Sequence, residues 1–306
     1  VWKDKRYHSL DYELRKVFGR KTIKLSLDGG FTCPNRDGTV GNRGCIFCGE
    51  EGSGEFAAER CLSISEQIGN QKEFLSKKWP EGKYIAYFQN FTNTYSTCED
   101  LRQKYEEAIS LDDVSGLSIA TRPDCLNLDI LDLLEEFNMK TFLWVELGLQ
   151  TIHEDTAKFI RRGYDLSVYE NAVRELKKRN IRVVTHLIFG LPKESTKDIL
   201  DSVRYVAKTN TWGVKFHLLY VQKGTDLYEY YKKNPFHILS KDEYINLVCD
   251  AIELLPENMV IHRLTGDGKK ELLVEPRWSL DKLRVLSGID MELKRRDSFQ
   301  GKNYNI

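Results

Sequence analysis

The chain has 306 residues, 41% apolar and 30% charged, and its 46 basic and 46 acidic side chains cancel to zero formal net charge. These values exclude a disordered chain and argue against one that coats nucleic acid through bulk charge. No run of eighteen apolar residues occurs, and the opening "VWKDKRYHSL" lacks an apolar signal core, so no membrane span is expected. Seven cysteines, an odd number, do not resemble a secreted disulfide framework, and a cytoplasmic setting is expected.

The first segment, residues 1–21, is basic, and the tail "ELKRRDSFQGK" is basic as well; both ends are candidate contacts for a localised anionic partner. "TIKLSLD" reads as the first strand. Directly after it, Asp28 to Gly54 packs three cysteines and eight glycines into 27 residues. Extended apolar runs then alternate with segments of helical period: "KYIAYFQN", "SGLSIAT", "TFLWVELGLQ", "IRVVTHLIFG" and "GVKFHLLYV" are each followed by a helix pattern. Capping signals mark the helix starts, with boxes at Ser63–Glu66, Ser167–Glu170 and Ser240–Glu243 and an N-cap at Thr97. Six strand–helix units at a spacing of about thirty residues have the size of βαβ repeats. Residues 22–255 are assigned to this α/β unit. A C-terminal extension over 256–306 holds one more strand, "NMVIHRLTG", and a tail helix, "SLDKLRVLSGIDMELKRR".

Side-chain parity separates an open sheet from a barrel. In "WVELGLQ" the residues Val145, Leu147 and Leu149 alternate with Glu146, Gly148 and Gln150. In "RVVTHLIFG" Val183, Leu187 and Phe189 oppose Arg182, His186 and Gly190, and in "VKFHLLY" Phe216 and Leu218 oppose Lys215 and His217. A doubly wound sheet would be apolar on both faces. A polar row repeated on one face points to a barrel interior with a site at the strands' C-terminal ends. Six units are too few for a closed eightfold barrel, so a partial (β/α)6 barrel of the TIM type is expected.

Cys33, Cys45 and Cys48 follow the first strand and so sit at the barrel mouth. Thiolates select zinc, copper(I) or iron–sulfur clusters. A structural zinc site needs four ligands, and Cys61 is the one plausible fourth nearby; Cys249 lies on an apolar helix face. A cubane cluster held by three thiolates instead leaves one iron open. S-adenosylmethionine can bind there and yield a 5′-deoxyadenosyl radical on one-electron reduction. On the residues alone, a radical enzyme and a structural or redox metal protein both remain open.

The ordered set "GFTCPNRDG", "GCIFC", "GSG", "ATRPD", "VELGLQT", "RRGY" and "HLIFGLP" resembles radical SAM proteins of the YhcC/YtqA type, relatives of the radical SAM module of the Elongator catalytic subunit. The resemblance covers nearly the whole chain. It implies a [4Fe-4S] cluster on Cys33, Cys45 and Cys48, with S-adenosyl-L-methionine beside it. It further implies Phe47 near the adenine, and Asn90, Phe91 and Thr92 at the methionyl amine. Gln150 and Arg162 match positions that reach the ribose and the methionyl carboxylate, and His186 and Ile188 match positions flanking ribose and adenine. Relatives often carry glutamate where Ala120 stands here, so Glu146 or His186 is expected to supply that ribose contact. Lys215 and His217, sharing one strand face, are the substrate-side catalytic candidates.

The same resemblance implies a substrate: the wobble uridine of tRNA, with 5-carboxymethylaminomethyl-uridine converted to 5-aminomethyl-uridine. An electron donor such as flavodoxin or ferredoxin is then required, and the basic ends are the candidate phosphate contacts. Two alternatives share parts of the pattern: a radical SAM enzyme acting on a small metabolite or peptide, and a non-enzymatic iron–sulfur or zinc protein.

Overall fold

Alternation of apolar and polar side chains along successive strands produces one curled parallel sheet. The computed structural model describes residues 2–50, 52, 60–79, 81–266 and 268–305; Ser53 and Gly54 of the "GSG" motif lie outside the described residues. In chain order the elements are α1 (Leu10–Phe18), β1 (Thr22–Leu27), α2 (Ile64–Ser76), β2 (Lys83–Phe88), α3 (Cys98–Ile109), β3 (Val114–Thr121), α4 (Leu128–Lys140) and β4 (Phe142–Gln150). There follow α5 (Glu154–Phe159), α6 (Leu166–Lys178), β5 (Arg182–Phe189), α7 (Thr196–Thr209), β6 (Gly213–Leu218), β7 (Val221–Gln222), α8 (Asp226–Lys233), α9 (Lys241–Glu253), β8 (Val260–Arg263), β9 (Leu273–Glu275) and α10 (Lys282–Arg295).

The main sheet runs β1-β2-β3-β4-β5-β6-β8, with every pair parallel, while β7 and β9 form a small antiparallel pair. The strand expected in the C-terminal extension thus joins the same sheet as its seventh member. The outward row, including Leu25, Leu117, Val145, Leu147 and Phe216, is fully buried in the main core beneath the helices. The capping boxes at Ser63 and Ser240 and the Thr97 cap all form. The box expected at Ser167 does not. The helix begins earlier, behind Asp165, and the Leu166 N–H is taken by Glu154 Oε1 at 2.7 Å.

Inside the curl, the strands' N-terminal halves are filled by Ile85, Trp144 and Val184, against which α1 inserts Leu14. Helix α1 packs on both β1 and β8, the two edges of the sheet, and so fills the gap that an open barrel leaves. Each edge would otherwise expose unpaired backbone groups. The Ile261 N–H donates to His8 O (2.7 Å), and the His8 N–H donates to Gln300 Oε1 (2.8 Å). Gln300 Nε2 in turn donates to Pro256 O and Met259 O at 2.7 and 2.8 Å. Both basic ends are therefore tied down at the strands' N-terminal end, remote from the mouth. Lys5 pairs with Asp290, Arg6 with Asp297 (3.0 Å), and Arg296 with Asp250 (2.5 Å) and Glu292 (2.7 Å). Those pairings and that location do not suit the phosphate contacts expected of these segments. Among the described residues, no helix is long and apolar enough to cross a membrane.

Leu14 is 2% exposed and Val17, on the same helix, 43%. Leu14→Ala should lower the unfolding free energy in urea by about 2–5 kcal/mol. Val17→Ala should change it by no more than about 0.5 kcal/mol.

Candidate functional site

The loop after β1 folds back across the strands' C-terminal ends. Cys33 O accepts from Arg36 N–H (2.8 Å) and Cys45 O from Cys48 N–H (3.0 Å), giving two tight turns that carry the thiols. The loop is pinned from outside. Asn35 Nδ2 donates to Arg161 O (2.6 Å) and to Cys45 Sγ (3.6 Å), Ile46 N–H donates to Ile160 O (3.1 Å), and Leu227 N–H donates to Ile46 O (2.8 Å). Two of its glycines have a steric reason. A Cβ on Gly41 would meet Asn35 Oδ1 at 2.5 Å, and Gly44 combines φ 71° with Arg36 Nε at 2.9 Å from such a Cβ.

Cys33, Cys45 and Cys48 all line one cavity of about 230 Å³ at the barrel mouth. Cys61 is exposed and does not line it. A hydrogen bond from Cys48 draws the Cys45 thiol down to about 7 against its burial, with Arg122 and Asn35 assisting. Cys48 itself is pushed up by that same bond and by burial. Among the described residues, no three His, Cys, Asp or Glu side chains converge on a single metal ion. Three thiols on one cavity wall suit a polynuclear cluster, whose irons take one thiolate each.

The walls differ in character. Phe47 and Ile188 line the cavity and belong to an apolar cluster with Ile46 and Leu219, a surface fit for a flat ring. Phe91 and Thr92 line it too. Phe91 adopts φ 59° with the Arg36 and Arg60 guanidinium groups each 5.6 Å from its ring centre, and the buried Thr92 Oγ1 has no partner among the described residues. Gln150 also lines the cavity, at φ 69° beside a register shift between β4 and β5. A non-glycine residue held in that region marks strain of the sort that gathers at functional sites.

The floor is built on one carboxylate. Glu146 Oε1 accepts from Lys24 Nζ (2.5 Å), Ser118 Oγ (2.9 Å) and Trp144 Nε1 (3.0 Å). Its Oε2 accepts from Tyr87 OH (3.1 Å), His186 Nε2 (2.8 Å) and Lys215 Nζ (2.8 Å). Lys215 Nζ also donates to Tyr87 OH (2.8 Å), and His217 Nε2 lies 3.3 Å from His186 Nδ1. Burial alone would raise the Glu146 carboxyl, but Lys215, Lys24 and His186 hold it well below the usual carboxylate range. Burial brings Lys215 down to about 7, with Lys24 and Arg263 pushing the same way and Glu146 opposing. Burial and Lys215 bring His186 down to about 4, and burial and His186 hold His217 well below its usual value. Both imidazoles are thus neutral near pH 7.

Most of the expected site residues meet here: the three cysteines with Phe47, Phe91, Thr92, Gln150, His186, Ile188, Lys215 and His217. Three expectations change. Asn90 does not line the cavity, because its Nδ2 donates to Asp28 Oδ2 at 2.7 Å. Arg162 reaches the cavity wall, yet its N–H donors are spent on Leu149 O, Thr151 O, Tyr164 O and Glu154, which leaves no fork for a methionyl carboxylate. Glu146 accepts six hydrogen bonds, so a ribose hydroxyl would find it saturated. The site also includes residues that sequence reasoning passes over: Asn35 and Arg36 in the loop, and Lys24 and Tyr87 on the floor. The polar position inside "TIKLSLD" is the one signal in the sequence for Lys24. Glu146→Gln should lower stability in urea by about 3–5 kcal/mol, because it leaves buried ammonium groups unpaired. A residue that merely touched the cofactor would leave cofactor-free stability unchanged.

Comparison with known proteins agrees with this geometry. The Radical SAM superfamily model matches residues 37–206, and the Radical_SAM C-terminal domain model matches 211–295. The chain is similar to the Bacillus subtilis protein YtqA, at 50% identity over 299 residues covering 98% of this chain and 93% of that protein. It is similar at 28% identity to Elongator complex protein 3 of Schizosaccharomyces pombe, over 61% of this chain and 35% of that one. The solved structure of Elp3 from the archaeon Methanocaldococcus infernus, with an N-terminal deletion, matches 91% of this chain and 64% of its own with a TM-score of 0.69 at 18% identity, which shows a shared fold. The chain belongs to the Radical SAM superfamily and is an enzyme of that class, whose members use a [4Fe-4S] cluster together with S-adenosyl-L-methionine.

Proposed function

We propose that this enzyme acts on the wobble uridine of tRNA and converts 5-carboxymethylaminomethyl-uridine to 5-aminomethyl-uridine. The observation that carries the reading is the charge of the floor. Among the described residues, Lys24 and Lys215 share the single carboxylate of Glu146, and Lys215, brought down by burial to about 7, gains a proton when a further anion arrives beside it. The group removed in this conversion is a carboxymethyl, which ends in a carboxylate. Similarity to Elongator complex protein 3 supports a tRNA base as the larger substrate. Arg43 and Arg60, exposed and closer to the cavity, are further candidate phosphate contacts, with Arg43 also paired to Asp226 and Arg60 to loop carbonyls.

In this reading Cys33, Cys45 and Cys48 hold the cluster, and no fourth cysteine among the described residues lines the cavity. When bound, cluster and S-adenosyl-L-methionine would supply a carbon-centred radical able to take hydrogen from the glycyl carbon; return of one electron to the cluster and addition of water would then free the amine and release the two-carbon unit as glyoxylate. Phe47 and Ile188 hold the adenine against an apolar wall, Gln150 faces the ribose, and Thr92 Oγ1 with the Phe91 turn meets the methionyl amine. Asn90 acts one layer back, by fixing that turn to Asp28. Arg162 positions rather than binds: its bonds to Leu149 O and Thr151 O keep the end of β4 in its bulged path. A flavodoxin or ferredoxin supplies the electron.

After anaerobic reconstitution and chemical reduction, the protein should release 5′-deoxyadenosine from S-adenosyl-L-methionine. Cys48→Ala should reduce this to background and lower iron content, whereas Cys61→Ala should change neither. Mass spectrometry of tRNA nucleosides from a strain lacking the protein should show 5-carboxymethylaminomethyl-uridine accumulating at the expense of 5-aminomethyl-uridine. An unchanged nucleoside profile would remove the substrate and leave the radical chemistry standing.

A further inference from the structure

We propose that the cavity floor is a subsite for a zwitterionic N-substituted glycine group, with Lys215 Nζ taking its carboxylate and His217 Nδ1 accepting from its ammonium. This rests on the carboxylated-uridine reading above and assigns the part of the molecule that the floor recognises. Lys215 is buried and lines the cavity, and its two fixed bonds, to Glu146 Oε2 and Tyr87 OH, are both 2.8 Å. An ammonium has three N–H donors, so one is left for the cavity.

The acceptor follows from the chain of bonds behind it. Ionised Glu146 can only accept, so His186 Nε2, 2.8 Å away, carries the hydrogen. His186 Nδ1 is then an acceptor, and His217 Nε2 at 3.3 Å must be the donor to it. That fixes the tautomer of His217, whose ring lines the cavity, and makes its Nδ1 an acceptor. Burial and the neighbouring His186 and Lys215 keep the ring neutral, so the lone pair stays available. Lys215 and His217 sit two residues apart on one face of β6, side by side. A site for a simple anion would present donors alone; a cation next to a fixed acceptor selects a group that carries both charges.

Lys215 is faced by Lys24 from β1, Tyr87 from β2, Glu146 from β4, His186 from β5, its strand neighbour His217, and His262 and Arg263 from the sheet's last strand. A carboxylate arriving among these groups raises the proton affinity of Lys215, so binding above neutral pH must draw a proton from solvent.

The test is calorimetry on the anaerobically reconstituted chain with S-adenosylhomocysteine bound. The probes are 5-carboxymethylaminomethyl-uridine, its methyl ester, and N-benzylglycine. The acid should bind about 10- to 100-fold more tightly than the ester. At about pH 8, buffers of different ionisation heat should report uptake approaching one proton. Lys215→Met should abolish both the preference and the uptake, and Lys215→Arg should restore the preference, with S-adenosylhomocysteine affinity unchanged in each. His217→Phe should weaken N-benzylglycine. Equal affinity of acid and ester for the unaltered protein overturns the subsite, and that comparison needs no variant. Parallel loss of S-adenosylhomocysteine affinity in Lys215→Met overturns it too, by giving the floor to the cofactor. If N-benzylglycine binds in a Lys215-dependent way while the nucleoside does not, the subsite stands and the uridine reading falls. If neither binds, the subsite falls.

Discussion

One ionised carboxylate inside the barrel governs this structure. Glu146 comes from β4, and every other strand from β1 to β6 sends one side chain to it: Lys24, Tyr87, Ser118, His186 and Lys215. Taking a charge out of water costs several kcal/mol unless its lone pairs are met, so all of these donors must arrive together. Six strands can converge on one point only if the sheet curls. The curl thus brings these donors to one carboxylate, which sets the polarity of the floor, and the apolar layer of Trp144, Ile85 and Val184 beneath it, closed by Leu14, shields it from solvent.

The cavity above that floor divides its labour by depth. Thiols, the apolar pair Phe47 and Ile188, and the strained turns at Phe91 and Gln150 gather at the mouth, where a glycine-rich loop lets backbone come close. Titratable groups gather at the bottom, each with its protonation set by neighbours rather than by solvent. Arg162 stands between the two zones and spends its guanidinium on carbonyls at the end of β4. A side chain that looks like a ligand in sequence is here a brace for the strand end that presents Gln150.

Much of the architecture was legible because few folds besides a barrel interior accommodate a polar row of period two on successive parallel strands. Glu146, His186 and Lys215 fall on the same face in three separate runs, and the sheet places all three around one point. Lys24 was not legible in this way. A lone lysine on an edge strand reads as solvent-facing, and its buried partner lies 122 residues away. The basic ends misled for a related reason: the charges were visible, but Asp290, Asp297 and Asp250, which neutralise several of them, are near only in space. Ser167 offered a capping box by spacing, yet Glu154 reaches the helix start first, and no spacing rule within the helix can register that contact. Asn35 and Arg36 lie in an aperiodic loop, where side-chain direction depends on turns that glycine content announces without specifying.

The floor depends on Glu146 staying ionised beneath the cavity. Infrared titration of protein carrying ¹³C-labelled glutamate, with Glu146→Gln as the assigning difference, measures that directly. Glu146 should show a carboxylate band that persists below the ordinary glutamate value of 4.5 until the protein itself unfolds. A carboxylic acid band growing in near that value, with the fold intact, would contradict it.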